Sequence, residues 1–316
     1  MTAAITRPGH RLPASAVLGT DIATATTVDE ALQMAGLDWG LQMHEAKALT
    51  VLTDTGVIST SIPGQKLLLR DDSFTTLAAV GSAYEPVDNR AAFDLADRAR
   101  QLGAVFAHAG ETDHGRKAFL TMDLPEARVN VGGKDLVDFG VIFRTSHGSG
   151  SITGEVSGMR LVCSNGLVQG IGAGSKWTVR HTRTATDRIA LAEDTLRGAA
   201  RYAKEFAAIG ESLISMRYTV DEFVAYIDRL YPRPDEAKKA AVTRWENRRG
   251  ELLDLFRIAE TQEDARGTRW AAYNAVTEWE DWFRPARGGD SGRAARQFAT
   301  PDAKGVKQAA FDLIAA

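Results

Sequence analysis

The hydrophobic pattern of this chain changes period once, between Thr182 and Asp187. Before that point most apolar residues alternate with polar ones, the two-residue period of a strand with one buried face; after it they recur every three to four residues to the end. Strands gathered first and helices gathered afterwards predict an α+β fold: a mixed, mostly antiparallel sheet with packed helices, followed by a helical C-terminal extension. The expected division is a flexible tail over residues 1–15, an α+β core over 16–205 and a helical region over 206–316. At 316 residues the chain exceeds the ~250 at which single cores stop growing, which agrees with a two-part arrangement.

Local signals fill in this outline. Thr27-Val-Asp-Glu30 reads as a capping box opening a helix through Ala35, with Gly36 closing it. Strand-like pieces follow at 37–45, 66–70 and 75–80, with Asp71-Asp72-Ser73 as a turn. A helix is predicted over 89–102, ending at Gly103. The pieces 104–109 and 117–123 flank the turn-rich GETDHG, and 128–131 with 136–145 flank Gly132-Gly133. Met159, Leu161 and Cys163 alternate with Arg160 and Val162, which predicts the thiol in a core and Arg160 on the opposite face. Over 175–182, Trp177 and Val179 share one face while Lys176, Thr178 and Arg180 share the other. Helices are predicted from Asp187 into Phe206, after Thr219, over 235–260 and through TRWAAYNAVTEWEDWF, with Thr300-Pro301 capping the last one. ARGGDSGRAAR (286–296) reads as a flexible connection.

No apolar run approaches the ~20 residues of a membrane span, and the first residues lack a secretory hydrophobic segment, so a cytoplasmic location without membrane association is expected. One cysteine provides neither an intrachain disulfide nor a Cys-rich zinc site. Net charge is −3, but its distribution is uneven. Between Arg160 and Lys204 eight Lys/Arg face three acids, a segment of +5 against −8 for the remainder. Such a segment is the electrostatic footprint of phosphate binding.

Other chemistries find less support. Gly170-Ile-Gly-Ala-Gly-Ser-Lys176 has serine before lysine, the wrong order for a phosphate loop, and its glycine spacing does not fit a dinucleotide site, so no cofactor is expected. The six histidines (10, 44, 108, 114, 147, 181) show no metal-helix spacing, although His108, Glu111, Asp113 and His114 could assemble in space. Cys163 lacks a neighbouring base and reads as a buried small hydrophobe. Arg160, Lys176, Arg180, Arg183 and Arg188 remain as the candidate nucleic-acid-binding residues, with Arg197 and Arg201 extending them and Trp177 as a base-stacking candidate. Trp270, Tyr273, Trp279, Trp282 and Phe283 read as packing or a subunit contact.

Several stretches together resemble the phage- and plasmid-related family known as domain of unknown function 932: AGLDW (35–39), GSAYEPVDNRAAFD (81–94), the AG and GRKAFL pair (109–120), RLVCSNGL (160–167), RHT (180–182) and GTRWAAYNAVTEW (267–279). Where such proteins are expected to read Ser-His-Asp-Gly, this chain has Ser146-His147-Gly148-Ser149. The resemblance implies a mobile-element context, in a bacterial host cytoplasm, and a place in replication or recombination. The expected function is a phage-encoded nucleic-acid-binding protein, acting on single-stranded DNA without sequence readout and forming a homo-oligomer, in outline similar to ring-forming single-strand annealing proteins. With no convincing catalytic constellation, a binding protein is favoured over an enzyme. Two alternatives stay open. One is a metal-assisted enzyme acting on nucleotides or nucleic acid through His108, Glu111, His114, His147 and His181; the other is a module binding a host factor through an exposed patch around Trp270 and Trp282.

Overall fold

A computed structural model describes the backbone of residues 12–52, 56–148, 151–160, 165–166, 176–180, 186–299 and 305–316. The first half contains α1 (Ala14–Leu18), β1 (Thr20–Asp21), α2 (Val28–Ala35), β2 (Leu41–Leu52), β3 (Gly56–Arg70), β4 (Thr76–Gly81), α3 (Asn89–Ala92), α4 (Leu95–Gln101), β5 (Val105–Thr112) and β6 (Lys117–Asp123). It continues through β7 (Val129–Val131), β8 (Asp135–Ser146), β9 (Ser151–Arg160), β10 (Asn165–Gly166) and β11 (Lys176–Arg180). The remainder is helical: α5 (Thr186–Ser215), α6 (Val220–Leu230), α7 (Lys239–Ile258), α8 (Arg269–Glu278), α9 (Gly289–Ala299) and α10 (Val306–Ala315). The architecture is α+β, with antiparallel strand pairs, packed helices and a C-terminal run of helices.

The larger sheet has the order β1-β5-β6-β8-β9-β10, with β7 beside β8 and β11 beside β9. Its two faces differ sharply. Val137, Phe139, Val141 and Phe143 of β8 and Ile152 and Val156 of β9 are buried, whereas the alternate positions Asp138, Gly140, Ile142, Arg144 and Ser157 are only half-buried. Helix α5, 30 residues and therefore about 45 Å long, covers the apolar face. Its Tyr202 and Phe206 meet Phe139 edge-on at 5.6 and 5.7 Å, and Phe206 also reaches Trp270 of α8 and stacks on Phe311 of α10. Edge-to-face contacts suit ring quadrupoles and add to the area each ring hides from water. One apolar cluster thus joins sheet and helices, and the expected division at 205/206 falls inside α5.

Local chemistry sets several boundaries. Thr27 caps α2 by accepting from the Glu30 amide, and Gly36 closes the helix at φ +64°, a left-handed position that costs glycine little. The Glu30 carboxylate reaches one residue further back than a capping box requires, to the Thr26 amide. At α6 the box is complete, because Thr219 and Glu222 satisfy each other's backbone amides. The helix expected over 89–102 is divided at Phe93, where Asp88 caps the first piece and Asp94 precedes the second. The segment 286–296, read as flexible, contributes most of α9. There Arg296 donates to the carbonyls of Glu280, Arg284 and Pro285, a tertiary anchoring that overrides the poor helix propensity of its glycines. The Thr300-Pro301 cap lies outside the described residues.

The smaller sheet, β2-β3-β4, departs furthest from expectation. Its β2 and β3 run on beyond the strands predicted at 37–45 and 66–70 into a long ribbon. Near its base Ala46 alone faces Ile62, Pro63, Gly64 and Gln65, an irregularity that leaves six paired positions, Lys47–Leu52 with Gly56–Ser61, extending past β4 as two strands only.

Candidate functional site

Of the five candidate phosphate-binding residues, Arg160 is the one whose side chain is described, and its placement corrects the expectation. It ends β9 on the apolar face, 1% exposed, with Nε donating to Asp135 Oδ2 at 2.5 Å and Nη1 facing Gln262 Oε1 at 3.4 Å. Trp270 Nε1 donates to the same Asp135 oxygen at 2.6 Å. The physical reason is strand parity: Ile152, Gly154, Val156 and Gly158 alternate on the inner face, and Arg160 continues that row. Asp135, at the start of β8, supplies the compensating charge that lets a guanidinium stay buried. Met159 therefore lies on the polar face rather than in the core, while Cys163 lies outside the described residues.

Lys176 and Arg180 occupy the other side of the sheet by register. Strand β11 pairs Lys176 with Glu155, Thr178 with Thr153 and Arg180 with Ser151, and it places Trp177 and Val179 opposite Gly154 and Ile152 of the apolar row. Neighbouring positions on the polar side are Ile142 and Arg144 of β8, and Arg144 Nη1 donates to Glu155 Oε2 at 2.7 Å. Further along, Asp138 pairs with Arg128. Two carboxylates of this face, Glu155 and Asp138, are thus paired with arginines within the sheet, and Lys176 and Arg180 hold register positions at its β9–β11 corner. Arg188 lies in the first turn of α5 and its side chain is outside the described set; Arg183 lies outside it altogether.

At the opposite edge of the polar face, His108 of β5 sits beside Asp21 and Asp123, with Ser15 Oγ 3.4 Å from its Nδ1. Burial pushes the imidazole below its ordinary value, against the opposing pull of the Asp21 and Asp123 carboxylates. A histidine whose folded value is depressed binds fewer protons folded than unfolded. Its contribution to stability is therefore lost as pH falls through the unfolded value of about 6.5. Thermal melts of H108N should show a shallower loss of stability below that pH than the parent chain.

The histidines and acids considered for a metal centre lie apart. His108 and Glu111 are on opposite faces of β5, His114 is exposed on the β5–β6 turn, and His147 is 2% exposed at the end of β8. His181 lies outside the described residues, and among the described ones no three His, Cys, Asp or Glu side chains are grouped to hold a metal ion. The convergence required by the metal-assisted alternative is absent from this described set. The host-factor alternative also loses its patch: Trp270 is fully buried, as is Tyr273, and Trp282 is half-buried.

A junction not foreseen as a site joins the two sheets. Arg70 of β3 lies over the Trp39 ring at 4.3 Å and is held by Glu111 (2.9 Å) and Asp72 (2.7 Å). Trp39 Nε1 donates to Glu111, and its ring meets His147 edge-on at 5.3 Å. Asn89 donates to the Leu37 carbonyl, which turns its Oδ1 towards His147 Nε2 at 3.0 Å and makes that nitrogen the proton-bearing one. Tyr84 Oη accepts from the Gly148 amide. Gly148 has φ +96°, and a Cβ there would lie 2.1 Å from the Ala78 Cβ, so an aspartate at this position could not keep this backbone. Arg70, held between two carboxylates and the Trp39 ring, ties β3 to β5 and, through the Trp39–His147 contact, to the end of β8.

Three of the stretches that carried the resemblance, AGLDW, GSAYEPVDN and the β5–β6 turn region, meet at this joint. The family model described as Domain of unknown function (DUF932) matches residues 76–300, from β4 to beyond α9. The chain belongs to the DUF932 family. Neither a curated protein nor a solved structure matches it. The DUF932 span includes Tyr84, Asn89 and His147, the Asp135–Arg160 pair and all of β5 to β11, but not Trp39 or the long β2–β3 ribbon. No described helix is long and apolar enough to cross a membrane.

Proposed function

We propose that this chain binds nucleic acid, single-stranded DNA in the first place, along the polar face of the larger sheet. Phosphates would be held without base readout, in phage replication or recombination. The observation that carries this reading is the register of β11, which sets Lys176 opposite Glu155 and Arg180 opposite Ser151, with Thr178 and Thr153 paired between them on the same side of the sheet. The chain then continues through Arg183 and Arg188, within the segment of net charge +5. An antiparallel sheet with one face covered by α5 and the other partly open over β8 and β9, at Asp138, Gly140, Ile142, Arg144 and Ser157, offers a surface on which a backbone can lie while its bases remain free to pair. Annealing requires no covalent chemistry, so this reading calls for no catalytic group.

The phosphate-holding set is smaller than the sequence suggests, because Arg160 belongs to the core. A labelled oligonucleotide titrated by fluorescence anisotropy should bind with an affinity that falls steeply with salt. For single strands each neutralised phosphate contributes about 0.7 to the slope of log affinity against log salt, so K176A/R180A should flatten that slope by about 1.4 while preserving the fold. A parent chain that shows no salt-sensitive binding at low ionic strength, or a double variant with an unchanged slope, would rule the reading out.

A further inference from the structure

The distal part of the β2–β3 ribbon is a two-stranded element in a form that water alone stabilises poorly. A lone hairpin is marginal, and a third strand or a covered face is normally required. Here Ser59 to Gln65 are exposed at every consecutive position, so neither face is covered over that stretch, and Lys47 and Ala48 opposite are exposed as well. Ile62 is 40% exposed. Among the ribbon's described side chains, none joins the main apolar cluster.

Its edges are as open as its faces. Among the described residues, β2 pairs only with β3 and β3 meets β4 only from Gln65 onward, so the backbone of Lys47–Leu52 on one side and Gly56–Ser61 on the other has no further described strand. Proteins usually protect such edges with lysine, inward charge or a very short strand. Apart from Lys47 at its base, this ribbon lacks them. From Ala48 to Gln65 the sequence ALTVLTDTGVISTSIPGQ contains one charged residue, Asp54, although a quarter of the whole chain is charged. Threonine, valine and isoleucine dominate it, the residues that best suit strand pairing.

We infer that the ribbon is an assembly arm, on which a second copy of this chain docks by adding its own ribbon edge to edge. The charge pattern selects this occupant. With two edges open and almost no charge, one ribbon meets another without like-charge repulsion and without unmatched carboxylates or ammonium groups. A nucleic acid or an anionic lipid surface would find no cation along residues 48 to 65 to neutralise it. Backbone amides and carbonyls provide the attraction in strand addition, and side chains of this composition provide the dry contact.

The test is the mass of the full chain in solution without nucleic acid, by light scattering over a wide concentration range. The parent should have a multiple of the 34.2 kDa chain mass. S59K/T60K, which places a charge on each face at exposed positions, should have a single chain's mass while still melting cooperatively. So should a variant in which residues 47–61 are replaced by a short glycine turn. Should the shortened chain fail to fold, S59K/T60K decides. A parent that is monomeric throughout, or a folded variant that assembles like the parent, overturns the inference.

Discussion

Arg160→Ala is expected to destabilise the fold by about 3–5 kcal/mol, the cost of removing one partner from a buried ion pair and leaving the other charge stranded. Asp135 would then keep its carboxylate at 1% exposure with the Trp270 indole as its remaining described donor. Asp135→Ala should cost as much, since it strands Arg160 and also deprives Trp270 Nε1 of its acceptor. The double variant R160M/D135N removes both charges and leaves an amide oxygen for Trp270, so it should recover most of the loss. Urea unfolding of the parent, R160M, D135N and R160M/D135N closes the cycle that measures the coupling. A loss of less than about 1 kcal/mol in R160A, the range of an exposed pair, would show that this arginine is not buried as described.

Phe206→Ala should also cost about 3–5 kcal/mol, as for other large aromatic truncations in cores. Phe206 is fully buried on α5 and touches rings from three other elements, Phe139 of β8, Trp270 of α8 and Phe311 of α10. A void at that point removes contacts to the sheet and to two C-terminal helices at once, and neighbours fixed to three different elements cannot easily collapse into it. A thermal melt should therefore show a large drop in midpoint with the transition still cooperative. Separate melting of the C-terminal helices would instead mean that they do not share this core.

These two residues also show how far the sequence could be read. Phe206 belongs to a regular helical pattern, and short-range signals of that kind predicted α2, α6 and the β5–β6 hairpin closely, because caps and turns act within four residues. Arg160 depended on a partner 25 positions away. Its local neighbours, Met159, Leu161 and Cys163, suggested the wrong face, whereas counting parity from Ile152 and Val156 would have placed it inside. The ribbon was missed because its threonines, serines, Gly64 and Pro63 resemble turn chemistry, and only pairing across the hairpin makes them strands. Helix α9 was missed for a related reason, since its stability comes from carbonyls of the preceding segment. The sheet joint at Trp39, Asn89 and His147 was visible only as separate stretches, and nothing in their order revealed that they meet.

The apolar cluster that unites the molecule runs from Ile22 to Ile314, well past residues 76 and 300 where the family match stops. Val28, Ala31 and Leu32 close it on one flank, and Ala310, Phe311 and Ile314 close it on the other, with Tyr226 Oη tied to the Ala310 carbonyl. A fragment excised at the family borders would be bare on both flanks and prone to aggregate. The span by which relatives are recognised is thus shorter than the stretch of chain that builds the core.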